Sequence, residues 1–398
     1  MAISKKGTKR ALTCTTCKLK DGDIKTYKME PYGSGEKKVL IIGEAPGKVE
    51  DRKGMPWQGR AGRLLQRYLH KSGIDLFQDC LCVNAVNCRP PDNRTPRKLE
   101  VDCCRNMVVD DVIKDFKPKV IILLGAVAVQ SFLAPRWPVD LGGITKWRGF
   151  RIPDQDHHAW IVPTFHPAYI LRAESREANT IFEQDLRLAA EAIGMRVPLF
   201  QPPKIHYIQD LSVLNELKNS TEIAIDYETT GLKARMKGQR IICTGVCASE
   251  DEVYAFMMPK TMKGLKPYFD LLTDPKIGKM GHNIKYEKSW THHRYGIDVV
   301  NWQWDSMIAA HIIDNRSYTT GLKFQAYIYF GVLIKDEDVS KYIYTKDENN
   351  KGFNKVYELL EQEGGEHKLL THVAMDAYFE YLLAKKQMKE LDYNYLPF

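Results

Sequence analysis

The chain has 398 residues, 44% of them hydrophobic, and a formal net charge of +8; this is the composition of soluble globular protein at a length that suggests two or three domains. No apolar run reaches the roughly 18–20 residues of a membrane-spanning helix, and the basic Met1–Arg10 stretch has no apolar run behind it, so a secretory signal is excluded and a cytoplasmic location expected. The charge is uneven: residues 1–200 hold 33 Lys+Arg against 23 Asp+Glu (+10), residues 201–398 hold 25 against 27 (−2). A basic first half suits a polyanion such as DNA, and equally a merely soluble surface.

Residues 1–38 read as a basic, loosely structured arm carrying Cys14-Thr15-Thr16-Cys17. Val39-Leu40-Ile41-Ile42 then reads as a buried strand running into Gly43-Glu44-Ala45-Pro46-Gly47. A helix is expected from Ala61 to about His70, a strand near 80–84, and a helix near 98–115. Val120–Leu124 is a strand closed by Gly125, followed by a helix from Ala126 to Leu133. Trp160–Pro163 is a fourth strand leading to His166, and a helix runs from about Asn179 to Ile193. Such alternation implies a parallel sheet with helices on both faces and a ligand beyond the carboxyl ends of the strands. The loops 43–62, 84–96 and 166–172 all follow strands, so they should converge. Val197 to Pro203 is a proline-stiffened linker. Beyond it, close strand runs near 222–227, 240–247 and 252–257 suggest a mixed or antiparallel sheet. The rest, from about 263, reads as mostly helical, with the best amphipathic patterns at 304–314 and 355–386.

Nine cysteines without a signal peptide imply reduced thiols, and seven of them fall between Cys14 and Cys104. Cys14-x2-Cys17, Cys88 and Cys104 suit a 4Fe–4S cluster or a zinc site, with Cys103 competing for the last place. Cys80 and Cys82 alternate within a strand and read as core, as do Cys243 and Cys247. Asn84 sits at a strand end, ahead of the proline-rich loop through Pro96, where its amide can read a base edge.

Four motifs carry a resemblance: Gly43–Gly47 with Glu50-Asp51; Gly54-Met55-Pro56-Trp57-Gln58-Gly59-Arg60-Ala61-Gly62; Asn84 to Pro96; and His166-Pro167-Ala168-Tyr169-Ile170-Leu171-Arg172. In order and spacing, residues 11–195 resemble the iron–sulfur (type 4) uracil-DNA glycosylases. The resemblance implies a three-layer α/β/α fold with a 4Fe–4S cluster on Cys14, Cys17, Cys88 and Cys104. It implies that Asn84 reads the flipped uracil and that Trp57, where the family usually has phenylalanine, stacks on it. His166 is implied to donate to uracil O2 as charge builds there, helped by the Gly43–Gly47 backbone. Glu44 is expected in the pocket and Glu50 to help exclude thymine's methyl group. Ala45 stands where better-known uracil glycosylases hold a water-activating aspartate. Leu171 and Arg172 are candidates for the wedge and a phosphate contact.

In the second half, Asp226 and Glu228 lie two apart on one strand and so share a face. A carboxylate pair of this kind, completed elsewhere, is what two Mg²⁺ or Mn²⁺ ions need for phosphodiester hydrolysis. Gly281-His282-Asn283-Ile284-Lys285-Tyr286-Glu287, Trp304-Asp305-Ser306-Met307 and His372-Val373-Ala374-Met375-Asp376 follow in order. Together they resemble the DEDD 3′–5′ exonuclease domain of the DNA polymerase I family over about 204–392. The resemblance implies an RNase H-like fold with a mixed sheet and Asp226, Glu228, Glu287 and Asp376 as metal ligands. Glu287 stands where that family has aspartate, and His372, the implied water-orienting base, where the polymerase type has tyrosine.

The expected organisation is a glycosylase-like domain over 1–196, a linker over 197–203 and an exonuclease-like domain over 204–398. Both halves resemble parts of phage-type DNA polymerases, and the chain stops at Phe398, where a polymerase domain would begin. The expected function is uracil excision together with 3′–5′ exonuclease action on DNA, in the host cytoplasm if the chain is viral, with a separate DNA polymerase polypeptide as a possible partner. The alternative is a non-catalytic uracil-sensing or DNA-gripping subunit of such a polymerase.

Overall fold

The computed structural model describes residues 12–137, 140–259, 261–347 and 352–391. Met1–Arg10, read above as part of a basic arm, and the end of the chain at Phe398 lie outside the described residues. The chain divides into two compact units, Met1–Leu199 with Phe330–Leu333, and Phe200–Tyr329 with Ile334–Phe398.

In the first unit the strands are β1 (Val39–Gly43), β2 (Cys80–Asn84), β3 (Val120–Leu124), β4 (Ile152–Asp154) and β5 (Ala159–Thr164), in the order β2-β1-β3-β5-β4. All neighbours are parallel except β4, which runs antiparallel to β5 at the edge. The expected sheet is therefore mostly rather than wholly parallel. The three-residue β4 escaped the sequence reading because so short a segment carries no periodicity. Every residue of β1 and of β3 is buried, as expected where helices cover both faces. The helices of this unit are α1 (Cys14–Cys17), α2 (Lys48–Lys53), α3 (Arg60–Lys71), α4 (Lys98–Cys104), α5 (Asp110–Phe116), α6 (Ala126–Leu133), α7 (Ile144–Trp147), α8 (Pro167–Ala173) and α9 (Arg176–Ala192). A π-helical turn, Arg105–Val109, joins α4 to α5. The chain steps from β1 to β2 on one side and then crosses back from β2 to β3 on the other side of β1, so the direction reverses there and the switch point of the sheet opens beyond Gly43.

The segment before β1 is more ordered than expected. Asp51 accepts hydrogen bonds from the backbone N–H of Lys25 and of Thr26 at 3.0 and 2.8 Å, and Tyr32 bridges to Cys82 of β2. A single buried carboxylate in α2 thus organises a stretch whose composition reads as loose.

The second unit has strands β6 (Lys204–Tyr207), β7 (Glu222–Thr229), β8 (Ile241–Cys247), β9 (Glu252–Met257), β10 (Gly278–Gly281) and β11 (Trp302–Asp305), in the order β11-β10-β7-β8-β9-β6. β7, β8 and β9 are antiparallel; β6, β10 and β11 join in parallel. The helices are α10 (Lys266–Thr273), α11 (Lys285–Tyr295), α12 (Ser306–Ile313), α13 (Leu322–Phe330), α14 (Glu337–Ile343), α15 (Val356–Leu360) and α16 (Gly365–Glu390). α16, 26 residues long, lies across β7 and β8. Gly245 permits this: a Cβ there would stand 2.3 Å from the carbonyl oxygen of Val373. No helix among the described residues is long and apolar enough to cross a membrane.

Candidate active sites

In the first unit the three loops that follow strands do meet. Gly43 ends β1 and Asn84 ends β2, in register with each other. A Cβ on Gly43 would stand 2.4 Å from Asn84 Oδ1 and 2.8 Å from the Trp57 ring. Trp57 is held with φ at +61°, a rare backbone state for a bulky residue that tends to persist at functional sites. Its buried indole N–H has no protein acceptor, and its ring lies 5.6 Å from the His166 ring, centroid to centroid. So Asn84, Trp57 and His166 surround one point beyond Gly43.

His166 is the N-cap of α8, and its Nδ1 accepts from the Ala168 backbone N–H at 3.2 Å. An accepting Nδ1 in a neutral ring leaves the proton on Nε2, free to donate. Burial, reinforced by the Arg172 guanidinium, pulls this histidine down to about 4, so the ring is neutral at physiological pH. Burial pushes the Glu44 carboxyl up, and Arg172 draws it partly back. Glu50 accepts the Gly59 N–H at 2.6 Å, which ties the Trp57 loop to α2. On α8, Tyr169 and Arg172 are exposed, whereas Leu171 packs partly against the core. Ala45 is half-buried next to Glu44. The segment 166–172, read from the sequence as a loop, is mostly the helix α8.

Cys14 and Cys17 on α1, Cys88 in the loop after β2 and Cys104 at the end of α4 come from three separate places to one neighbourhood. α1 packs on α4, and the sulfurs lie near enough to oppose one another's ionisation. Backbone N–H groups point at two of them: Lys28 to Cys88 Sγ at 3.3 Å and Asn87 to Cys104 Sγ at 3.2 Å. Cys103 is buried beside Cys104 and receives no such bond among those described. Cys80 and Cys82 are buried in the sheet, as are Cys243 and Cys247 in β8.

In the second unit Asp226 and Glu228 project from β7, and His372 and Asp376 from successive turns of α16. His372 Nε2 lies 3.0 Å from Glu228 Oε1 and 3.5 Å from Asp376 Oδ2, and its Nδ1 lies 3.3 Å from Asp336 Oδ2. Asp336 in turn pairs with Lys323 at 2.5 Å. Burial disfavours the imidazolium, but Asp376, Glu228 and Asp336 outweigh it and push His372 up to about 10. Glu228, His372 and Asp376 offer ligand atoms all within 4.8 Å of one another, the one such group of three or more among the described residues. Burial, then Asp376 and Glu228, drive the Asp226 carboxyl well above the usual range. Glu287 is buried on α11 with Oε2 lacking a partner, and burial with the Asp226 charge raises it too.

The sequence reading missed Glu380, one turn beyond Asp376 on α16. It is buried, its Oε2 is unpartnered, and burial together with Asp226, Glu287 and Asp376 raises it. The spacing 372, 376, 380 was the available signal. Orphaned buried carboxylate oxygens around a shared space suit hard divalent cations, whose ligands are oxygens. Asp305 is structural: it caps α12 through Met307 and Ile308 and also holds the N–H groups of Asn283 and Ile284.

Comparisons with known proteins agree with this division. Residues 30–189 match the family model of the uracil DNA glycosylase superfamily, and residues 208–362 match that of a 3′–5′ exonuclease. The type-4 uracil-DNA glycosylase of Thermotoga maritima is 37% identical over 184 residues, covering 46% of this chain and 91% of that protein. A DNA polymerase of Bacillus phage SP01 is 25% identical over 323 residues, covering 72% of this chain and 34% of the polymerase. Among solved structures, Brucella melitensis NrnC bound to pGG is 16% identical with a TM-score of 0.37, covering 48% of this chain and 84% of that one.

Proposed function

The chain belongs, through its first unit, to the type-4 uracil-DNA glycosylases, with a 3′–5′ exonuclease unit joined behind it; from that premise we propose that it excises uracil from DNA and also degrades DNA from 3′ ends. The observation that carries the first activity is the meeting of Asn84, Trp57 and His166 at Gly43. The Asn84 amide accepts from uracil N3–H and donates to O4, where cytosine offers the opposite pattern. Trp57 stacks on the extruded base. The neutral His166 donates from Nε2 to O2 as negative charge develops on the leaving base. Gly43 and Ala45 line the loop, Glu44 faces the attacking water, and Glu50 shapes the pocket by holding Gly59. Arg172 takes a phosphate, and Leu171, after leaving its partial packing, fills the vacated stack.

Cys14, Cys17, Cys88 and Cys104 are the residues that would hold a 4Fe–4S cluster. Backbone N–H donors aimed at two of the sulfurs support a bound inorganic centre there, and the resemblance to the iron–sulfur glycosylases favours a cluster over a single zinc ion. The cluster would clamp α1 onto α4.

For the second activity, Asp226, Glu228, Glu287 and Asp376 would hold two Mg²⁺ or Mn²⁺ ions, which when bound stabilise the attacking and leaving oxygens of the scissile phosphate. His372 orients the attacking water. The domain limits that go with this reading are 1–196 and 204–398 about a linker at 197–203. DNA is the partner, and a separate DNA polymerase polypeptide would supply synthesis.

The test is a time course on two end-labelled single-stranded oligonucleotides, one carrying uracil and one thymine at the same position, with Mg²⁺ or EDTA and then alkali. Uracil-dependent cleavage that survives EDTA is expected, with a Mg²⁺-dependent 3′ ladder on both strands. Uracil-dependent binding with no product under any condition would instead mean a non-catalytic sensing or gripping subunit.

A further inference from the structure

Asn87 lies three residues beyond Asn84 and is 1% exposed. Its Oδ1 accepts the Asn84 backbone N–H at 3.1 Å, and its Nδ2 donates to the Asn84 carbonyl at 2.9 Å. One amide therefore clasps both peptide groups of the base-reading residue. The same Nδ2 stands 3.6 Å from Cys104 Sγ, to which the Asn87 backbone N–H donates at 3.2 Å. The Asn87 carbonyl accepts the Met29 N–H at 2.7 Å, which fastens this turn to the segment carrying Cys14 and Cys17.

We propose that Asn87 is a positioning residue that makes uracil recognition depend on occupancy of the cysteine cluster. The proposal rests on the cluster reading given above. The physical basis is geometric. A Cys104 sulfur bound to a cluster is fixed in one rotamer, and it anchors both the N–H and the Nδ2 of Asn87. An unbound Cys104 side chain is free to turn about its Cα–Cβ bond, and the amide loses that anchor. The clasp on Asn84 then has a competing set of rotamers, and the Asn84 side chain, 4% exposed and close against Gly43, loses its fixed aim. A buried amide left half-satisfied is costly, so the two bonds to Asn84 and the two to Cys104 stand or fall together.

The experiment uses the full-length chain prepared without oxygen, as wild type, Asn87→Ala and Asn87→Asp. Iron and sulfide per chain and visible absorbance report the cluster. Recognition is read as the ratio of Kd values for single-stranded oligonucleotides carrying 2′-fluoro-2′-deoxycytidine or 2′-fluoro-2′-deoxyuridine, whose glycosidic bonds resist cleavage. The wild type should hold about four iron atoms per chain and lose its preference for uracil in step with iron removed by chelation. Asn87→Ala should keep its iron, since all four cysteines remain, yet lose roughly tenfold of that preference, the equivalent of one or two buried hydrogen bonds. What preference remains should no longer respond to iron removal. Asn87→Asp keeps the acceptor for the Asn84 N–H but not the donor, so it should fall between the two; it decides the matter if the alanine variant does not fold. An iron-loaded variant with an unchanged ratio, or a wild-type ratio indifferent to iron loss, overturns the proposal alone. A wild-type chain without iron overturns the cluster reading and the proposal with it.

Discussion

His166 is a neutral ring, because burial and Arg172 hold it at about 4 rather than 6.5, and in the proposed reading it would meet uracil in that form. Uracil release should therefore show no inflection near pH 6.5, where an exposed histidine titrates; a break there in the rate profile would make the donor an imidazolium. Asn84→Ala should lower the single-turnover rate of uracil release by roughly 100-fold, the loss of two buried hydrogen bonds, and retained full activity would remove Asn84 from base reading. In the nuclease centre the signs run the other way. Asp226, Glu287 and Glu380 have raised carboxyls, and His372 stays protonated up to about 10. Without metal the folded state thus binds more protons than the unfolded chain above the ordinary carboxylate range, and more again from 6.5 upward through His372. Stability of the second unit should consequently fall as pH rises from about 5 to about 9 in EDTA, and Mg²⁺ should flatten that slope; parallel melting curves in both buffers would contradict it. Asn84, His166, Asp226 and Asp376 were legible because each sits in a run whose residue types serve one chemistry. Glu380, Asp336 and Asn87 were not, since their importance lies in partners distant in sequence and in burial, neither of which residue order displays.

α16 delivers His372 and Asp376 to β7 only because Gly245 on β8 leaves room for the helix backbone. Gly245→Val should drive α16 outward, costing about 1–3 kcal/mol of stability by overpacking and lowering exonuclease activity roughly 100-fold through misplacement of the catalytic groups. Exonuclease activity equal to wild type would show that the helix position is not set there. Long apolar or strongly periodic segments such as β1, β3, α9 and α16 announced themselves. β4, β6, β10 and β11 have three or four residues each, several of them polar or glycine, and become strands only because an existing sheet edge supplies their hydrogen bonds. α8 was hidden for a different reason: Pro167 reads as a breaker but sits at the first helical position, where its missing N–H is harmless.

In the proposed reading the two chemistries draw on different residues and would draw on different inorganic groups. Asp226→Ala should abolish the Mg²⁺-dependent ladder and leave uracil release within about twofold of wild type, as expected for substitutions at independent sites. If uracil release fell with it, the two activities would share a step. The charge asymmetry was plain in the sequence; the structure adds that Arg172 acts electrostatically on Glu44 and His166.

The missing side chain at Gly43 also has a genetic reading. Every missense change at a glycine codon adds at least a Cβ, and here that atom would meet both Asn84 and Trp57. No single-nucleotide route leads from this codon to another tolerated amino acid. In a saturation library selected for uracil release, position 43 should return glycine alone, while Gly194, with open space about its Cα, should return a broad alphabet. The pocket's dimensions are thus written into mutational tolerance, and sequencing the survivors would measure them without a ligand.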